Sequence, residues 1–358
     1  RMSDERVQTF NVSFDEAEFD ESHYATRVAE SIDSEHHDIR LTQQDFANQL
    51  DDALGSIDQP TFDGINTYFV SRAVREAGLT VALAGTGGDE LFGGYASFRE
   101  LPRAMKWSRR ASTMPEPWLR AAASVVTRVK TGRPGEVKPQ TRWAKLGDAL
   151  ATRGDLVKMY QVSYALFTQE FLGELSNTAN PAGYGLPIER AQELRDEASP
   201  CQPLGAISLL EQALFLGERL LRDTDAASMA VSLEVRVPLL DHRVIEALAS
   251  LSEARRFAPV GKKMLLRELG LEGIEPSLFD RPKSGFVLPL ERWTRHLLKE
   301  AITSTFADAA LCTSVGLQPE ALGRLWRSYQ ADSPGLYWSR IWSLFVLLNW
   351  CRTHRVTL

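Results

Sequence analysis

At 358 residues, with 44% hydrophobic and 25% charged side chains, the chain has the composition of a soluble globular protein large enough for one big domain or two. The net charge of −6 gives no electrostatic footprint for nucleic acid, and no apolar run is long enough to cross a bilayer, so neither nucleic acid nor a membrane is expected as a partner. The three cysteines, Cys201, Cys312 and Cys351, are widely spaced and odd in number. They form neither a disulfide framework nor a zinc pattern, and with no signal peptide visible the default location is a reducing cytoplasm.

The first 97 residues alternate strand and helix. "FNVSF" puts Phe10, Val12 and Phe14 on one face at period two, which is a strand. "SHYATRVAESI" repeats Tyr24, Val28 and Ile32 at i, i+4 and i+8, which is a helix. "HHDIRL" reads as a second short strand. Thr42 then stands as an N-cap before a helix with Phe46, Leu50 and Leu54 as its stripe. "NTYFVSRAVREAG" is a third helix, with Gly78 in the C′ position. "TVALAG" is a continuous apolar run, as expected for a strand buried on both faces of a parallel sheet. This order predicts a doubly wound, mostly parallel α/β sheet.

After Phe98 the pattern is nearly all helical. "KTGRPGEVKPQTR" (130–142) reads as a solvated connector, and "SNTANPAGYGLP" (176–187) as another loop. No internal repeat or low-complexity tract is present.

Between the two styles lies "LAGTGGDELFGGY" (83–95): strand, glycine loop, then a short helix ended by Gly93 and Gly94. Gly85, Gly87 and Gly88 free backbone N–H groups to face an anion beyond the carboxyl end of a strand, and the helix start adds a favourable dipole. Asp89 is out of place beside a phosphate unless a Mg²⁺ lies between them, because Mg²⁺ takes carboxylate and phosphate oxygens together. The bland alternative is an N-cap aspartate with Glu90 in the first turn.

Two further strings narrow the choice. "DAASMAVSLEVRVPLLDHRVIEALA" (225–249) holds Glu234, Arg236, Pro238 and Asp241. "GKKMLLREL" and "DRPKSGFVLPLERW" (261–293) hold Lys263 and a second basic glycine loop. With "LAGTGGDELFGGY", these strings resemble the synthetase domain of the glutamine-dependent asparagine synthetase family, in order from Phe10 to the "LWRSY" and "RIWSLFVLLNW" helices.

The resemblance implies an adenine-nucleotide α-hydrolase-like sheet (1–97) with a large helical subdomain (98–358). It implies a ligase that adenylates a carboxylate with ATP and Mg²⁺, releases pyrophosphate, and transfers ammonia to the acyl group. The partners implied are a small carboxylic acid and a glutaminase domain or subunit supplying ammonia, in an assembly compatible with a homodimer. By position, Val12 matches the residue packed on adenine, and Ala84 and Gly85 match positions whose backbone meets the adenosine. Gly87 and Gly88 belong to the same nucleotide-binding loop. Asp89 matches a Mg²⁺ ligand, and Lys263 the lysine that holds the α-phosphate and pyrophosphate oxygens. Glu234 and Arg236 are expected as a supporting ion pair beneath the site.

Three departures accompany the resemblance. The family's Ser-Gly-Gly-x-Asp-Ser pyrophosphate loop, on the strand before "FNVSF", has no counterpart in these residues, nor does the glutaminase domain. The chain therefore reads as a fragment or a degenerate member. Thr86 stands where asparagine synthetases carry a glutamate that serves as general base, and Ala226 where many relatives carry arginine in "DRASMA". These two changes point to an acid other than aspartate. The competing readings are a catalytically inactive relative with a partner role, and an adenylating ligase that closes a lactam or amidates a sugar acid.

Overall fold

The computed structural model describes residues 6–14, 20, 22–61, 63–111, 113–131, 135–176, 185–279 and 288–357. Strand β1 (Gln8–Phe14), helix α1 (Ser22–Ser31) and strand β2 (Glu35–Leu41) form a parallel β–α–β unit, with Val12 opposite Ile39 and Phe14 opposite Leu41. Period two divides this pair into two faces. Val12, Phe14 and Leu41 are buried against Phe46 and Leu50 of α2 (Gln43–Gly55) and Phe69 of α3 (Gly64–Glu76). Thr9, Asn11 and His36 line the other face, under Tyr24 and Val28 of α1, around a cavity of about 280 Å³. Helices thus cover both faces of this pair.

The local signals act as expected. Thr42 caps α2 in a full capping box: its hydroxyl accepts from the Asp45 N–H, and the Asp45 carboxylate accepts from the Thr42 N–H. Gly78, at φ +97°, follows α3 in the left-handed region that spares glycine a Cβ clash.

Strand β3 (Val81–Leu83) departs from expectation. It pairs in parallel with a three-residue strand, β4 (Glu234–Arg236), and Leu83 is 73% exposed. The apolar run is therefore not buried on both faces. Among the described residues the parallel pairing forms two separate two-stranded sheets, β1–β2 and β3–β4. The molecule is mostly helical around these small sheets.

Helix α4 (Gly88–Phe92) follows β3, and α5 (Ser97–Ala111) and α6 (Glu116–Thr131) lead into the helical region. Both α5 and α6 lean on α7 (Leu146–Ala151), which α8 (Leu156–Tyr164) follows. The segment expected as a solvated connector is instead tied down after residue 134. Val137 and Gln140 are buried, and the Gln140 amide oxygen accepts from the Thr168 N–H at 2.9 Å. A glutamine that satisfies backbone groups belongs in a helix seam, which its polarity hid in the sequence. Most of the loop 176–187 lies outside the described residues. From residue 203 to 229 the chain is one helical run whose middle, Glu211–Leu221, is π-wound. Cys312 and Cys351 are core residues and Cys201 is exposed. None of the described helices is long and apolar enough to cross a membrane.

Candidate functional site

The glycine loop closes β3 and opens α4. Ala84 still belongs to the ladder, its N–H donating to the Arg236 carbonyl at 2.8 Å. The turn is made at Gly87, whose φ of +96° and N-cap position need a residue without Cβ. A Cβ there would stand 2.3 Å from Leu240, and one at Gly88 3.3 Å from Leu239 and 3.4 Å from Leu266. Two leucines of "VRVPLLD" and one of "KMLLRE" therefore press on the back of the loop. Strings some 150 residues apart in the sequence meet here, and packing alone accounts for two of the glycines. Gly85 differs. It is exposed, with no atom within 4 Å of where its Cβ would be, so the front of the loop is open to a ligand's approach. Thr86 lies half-buried on the same loop.

Asp89 occupies the first turn of α4, while the N-cap position belongs to Gly87. Its Oδ1 lies 3.0 Å from Lys263 Nζ; that oxygen is itself buried, while the two side chains as wholes are 22% and 30% exposed. The backbone aims Lys263. It is held at φ +51°, ψ 44°, at the start of the helix Met264–Gly270, a conformation rare for a residue with a side chain. The Gly261 N–H donates to the Gly93 carbonyl at 3.0 Å and fastens the lysine turn to the end of α4. Gly94 makes the room: a Cβ there would lie 1.8 Å from Asp89 Oδ1 and 3.0 Å from Lys263 Cδ.

The donor set fits a Mg²⁺–polyphosphate. No group of three or more His, Cys, Asp and Glu capable of holding a metal exists among the described residues. Mg²⁺ does not need one, since it keeps several waters and commonly uses one or two carboxylates plus substrate phosphates. Asp89 would supply that carboxylate and Lys263 a compact positive charge for phosphate oxygens. The open face of Gly85 leaves space beside them.

Beneath α4 runs a second polar system that the sequence did not announce. Glu90, next to Asp89, is only 1% exposed and accepts from the Tyr95 hydroxyl at 2.7 Å. Glu211 is fully buried and accepts from Tyr160 at 3.0 Å, from Tyr164 at 2.8 Å and from the Ser97 hydroxyl. Burial pushes the Glu211 carboxyl above its ordinary range, while these hydrogen bonds pull the other way. Burial, with Glu90 or Glu211 nearby, also raises the Tyr95, Tyr160 and Tyr164 phenols, which stay protonated donors. Arg256 completes the support, donating to the Leu91 carbonyl at 2.7 Å and to Ser208 Oγ at 2.9 Å. Ser208 in turn donates to the Glu90 carbonyl. The available signal was Glu211 as a lone acid inside the apolar string "ISLLEQALFL".

The remaining candidates lie elsewhere. Val12 belongs to a different packing cluster, its side chain buried with Phe14 and Phe46. Glu234 and Arg236 do form an ion pair, at 2.7 Å, but both are exposed on β4 rather than beneath the site. Alternation on a strand puts residues i and i+2 on one face, here the open one. Lys262 is exposed, and most of "DRPKSGFVLPLERW", Lys283 included, lies outside the described residues.

Comparison with known proteins bears on the same strings. The Asparagine synthase family model matches residues 1–352. The asparagine synthetase [glutamine-hydrolyzing] 1 of Bacillus subtilis (strain 168) is 25% identical over 349 residues, covering 96% of this chain and 52% of that protein. A putative asparagine synthetase [glutamine-hydrolyzing] of Mycobacterium tuberculosis (strain ATCC 25618 / H37Rv) is 26% identical over 352 residues, with 96% and 50% covered. Amidase chyE of Penicillium rubens is 26% identical over 307 residues, with 80% and 44% covered. The chain spans about half the length of the curated relatives it matches.

Proposed function

The chain belongs to the asparagine synthase family, and on that premise we propose that it is the ATP-using part of an amide-forming ligase. The observation that carries this reading is the Asp89–Lys263 pair, 3.0 Å apart beside an open glycine loop. In the proposed reaction a substrate carboxylate oxygen attacks the α-phosphorus of ATP, the bond to the bridging oxygen breaks, and pyrophosphate leaves. Ammonia then attacks the acyl carbon, AMP leaves, and the proton shed by the nitrogen passes to water or to the substrate. The Lys263 ammonium faces the α-phosphate and pyrophosphate oxygens, where negative charge grows as adenylation proceeds, and stabilises it without reorganising. Asp89 would hold a Mg²⁺, which when bound would neutralise charge on the pyrophosphate oxygens. Gly85 allows close backbone approach to the adenosine. Ala84, whose N–H is committed to β4, offers its carbonyl.

The sheet is read in the same way. The pairs β1–β2 and β3–β4 are taken as two halves of one doubly wound, adenine-nucleotide α-hydrolase-like sheet. A strand carrying the phosphate loop upstream of β1 completes it, and a glutaminase domain or subunit supplies the ammonia. The helices on both faces of β1–β2 support this.

Thr86 favours an acid other than aspartate. A threonine hydroxyl has no pKa near neutrality and cannot act as the base that a glutamate could be. One relative carries a name other than asparagine synthetase, Amidase chyE. The test is pyrophosphate release by the protein extended upstream through the phosphate loop, with aspartate beside sugar acids and peptide-linked carboxylates. We expect Mg²⁺-dependent release that is faster with one of the larger acids and is lost in Lys263→Ala. Release that no acid stimulates, or that Lys263→Ala leaves intact, removes the ligase reading. Aspartate-selective asparagine formation removes only the choice of acid.

A further inference from the structure

The helices α5 and α6 carry a surface that the chemistry above does not use. The first three turns of α5 are anchored by buried Phe98 and Leu101, and by Ser108, which bonds to the Ala149 carbonyl and the Thr152 hydroxyl. Past Ser108 the chain leaves the core. Along α6, Trp118, Val125 and Val129 fall at i, i+7 and i+11, one stripe of a 3.6-residue period, and are 71%, 62% and 76% exposed. The opposite side faces the protein: Ala123 is buried and the Thr127 hydroxyl donates to the Trp143 carbonyl at 2.7 Å. Six of the 14 large hydrophobic residues exposed among the described residues lie between positions 107 and 129. Scattered singly they would need no explanation, but gathered on two consecutive helices that both lean on α7 they mark an interaction surface.

Charge gathers at the same place. Residues 103–130 contain seven lysines and arginines and one acid, Glu116, in a chain whose net charge is −6. The cations are spread along both helices rather than focused on one point, which suits a continuous anionic plane. The stripe spans roughly 16 Å of helix. Trp107 and Trp118 flank the α5–α6 turn, and indole is the side chain that settles at the level of lipid headgroups.

We propose that helices α5 and α6 bind peripherally to an anionic lipid bilayer. Trp107, Trp118, Val125 and Val129 enter the boundary between headgroups and acyl chains, while Lys106, Arg128 and their neighbours meet the phosphates. The expectation of no membrane partner rests on the absence of a spanning run, which bears on crossing a bilayer, not on lying upon one.

The test is co-sedimentation of the 358-residue chain with vesicles of phosphatidylcholine alone, or of phosphatidylcholine and phosphatidylglycerol mixed equally. Binding is expected to the mixed vesicles only, and to weaken with salt. The variant K106A/R128A should lower the partition coefficient roughly thirtyfold, which is about 2 kcal/mol at about 1.4 kcal/mol per decade. W118S/V125S/V129S should lower it at least about tenfold. Quenching of the wild-type tryptophan emission by brominated anionic lipid is also expected, and it depends on no variant folding. Equal binding to both vesicle types, or to neither, overturns the proposal, as does an absence of quenching. Capture by soluble polyglutamate that survives W118S/V125S/V129S assigns the surface to an acidic protein instead. Binding that is lost when the chain is part of a longer protein assigns it to an internal interface.

Discussion

Asp89 and Glu90 are neighbours in sequence with opposite surroundings. Asp89 points to the solvent side of α4 and meets a cation; Glu90 points inward and meets a phenol. A five-residue helix turns successive side chains by about 100°, enough to send one carboxylate to Lys263 and the next to a buried network. The outer pair is held by backbone geometry, through Gly261, Gly93 and the left-handed Lys263. The inner network is held by side chains, through Tyr95, Tyr160, Tyr164 and Arg256. The contrast separates two tasks. The inner system fixes where α4 stands, and under the proposed function the outer pair is the one that meets the substrate.

The sharpest way to break that contrast is Lys263→Ala. Loss of a preorganised charge at the reacting phosphate should slow adenylation by on the order of a hundredfold or more. The melting temperature should hold, because an ion pair at the partly exposed edge of a helix adds only about 0–1 kcal/mol. A large fall in melting temperature would show that the outer pair is structural.

Glu211→Ala should do the reverse. Three hydroxyls lose their acceptor in a buried site, which should cost roughly 2–4 kcal/mol of stability, read by chemical denaturation. The same residue gives a pH signature. Its carboxyl is raised in the folded state, so the native protein binds the proton more tightly than the unfolded chain does. Its contribution is fully present below the ordinary carboxylate range and is lost as pH rises through the folded value. Stability curves of wild type and Glu211→Gln should therefore diverge over that interval, with the glutamine variant the flatter. Parallel curves would mean that the carboxyl is not held protonated.

Tyr95→Phe removes one hydrogen bond to Glu90 and should cost about 1 kcal/mol of stability. If Glu90 only positions α4, kcat should fall less than the hundredfold expected at Lys263. Smallest of all is Gly85→Ala. Nothing stands within 4 Å of the new methyl group, so stability should stay within about 0.5 kcal/mol of wild type while nucleotide KM rises. A clear destabilisation would mean that the front of the loop is not open.

What could be read from the sequence is what depends on near neighbours. The β1–α1–β2 unit, the Thr42 capping box and the left-handed Gly78 are set by residues a few positions apart. The glycine loop is visible in the same way, as a local cluster, although the packing that requires Gly87 and Gly88 comes from Leu239, Leu240 and Leu266 far along the chain. Other features are decided at long range. "VALA" is apolar whether or not another layer covers it, and Leu83 lies exposed because the burial of a strand is set by what packs on it. Three-residue β4 carries no periodic signal, and its role comes from pairing with β3, more than 150 residues upstream. Glu211 finds Ser97 and Tyr160 at separations of 114 and 51 residues, and nothing within a helical window foretells that meeting. The placement of Lys263 beside Asp89 came from the resemblance, since a lysine in "GKKM" looks like any surface lysine until the chain closes on itself.

Gly94 has a consequence for reading other sequences. Its missing Cβ is the space that the Asp89 carboxylate occupies, so the two positions are not independent letters. A protein of this kind that acquires alanine or serine at position 94 must move its aspartate, whatever that aspartate was doing. A glycine five places after the aspartate thus works as a checksum. Where both remain, the pocket for the carboxylate has been kept in working order. Where the glycine alone has changed, the carboxylate must sit elsewhere, and a survey of homologous chains can separate the two arrangements without measuring a single rate.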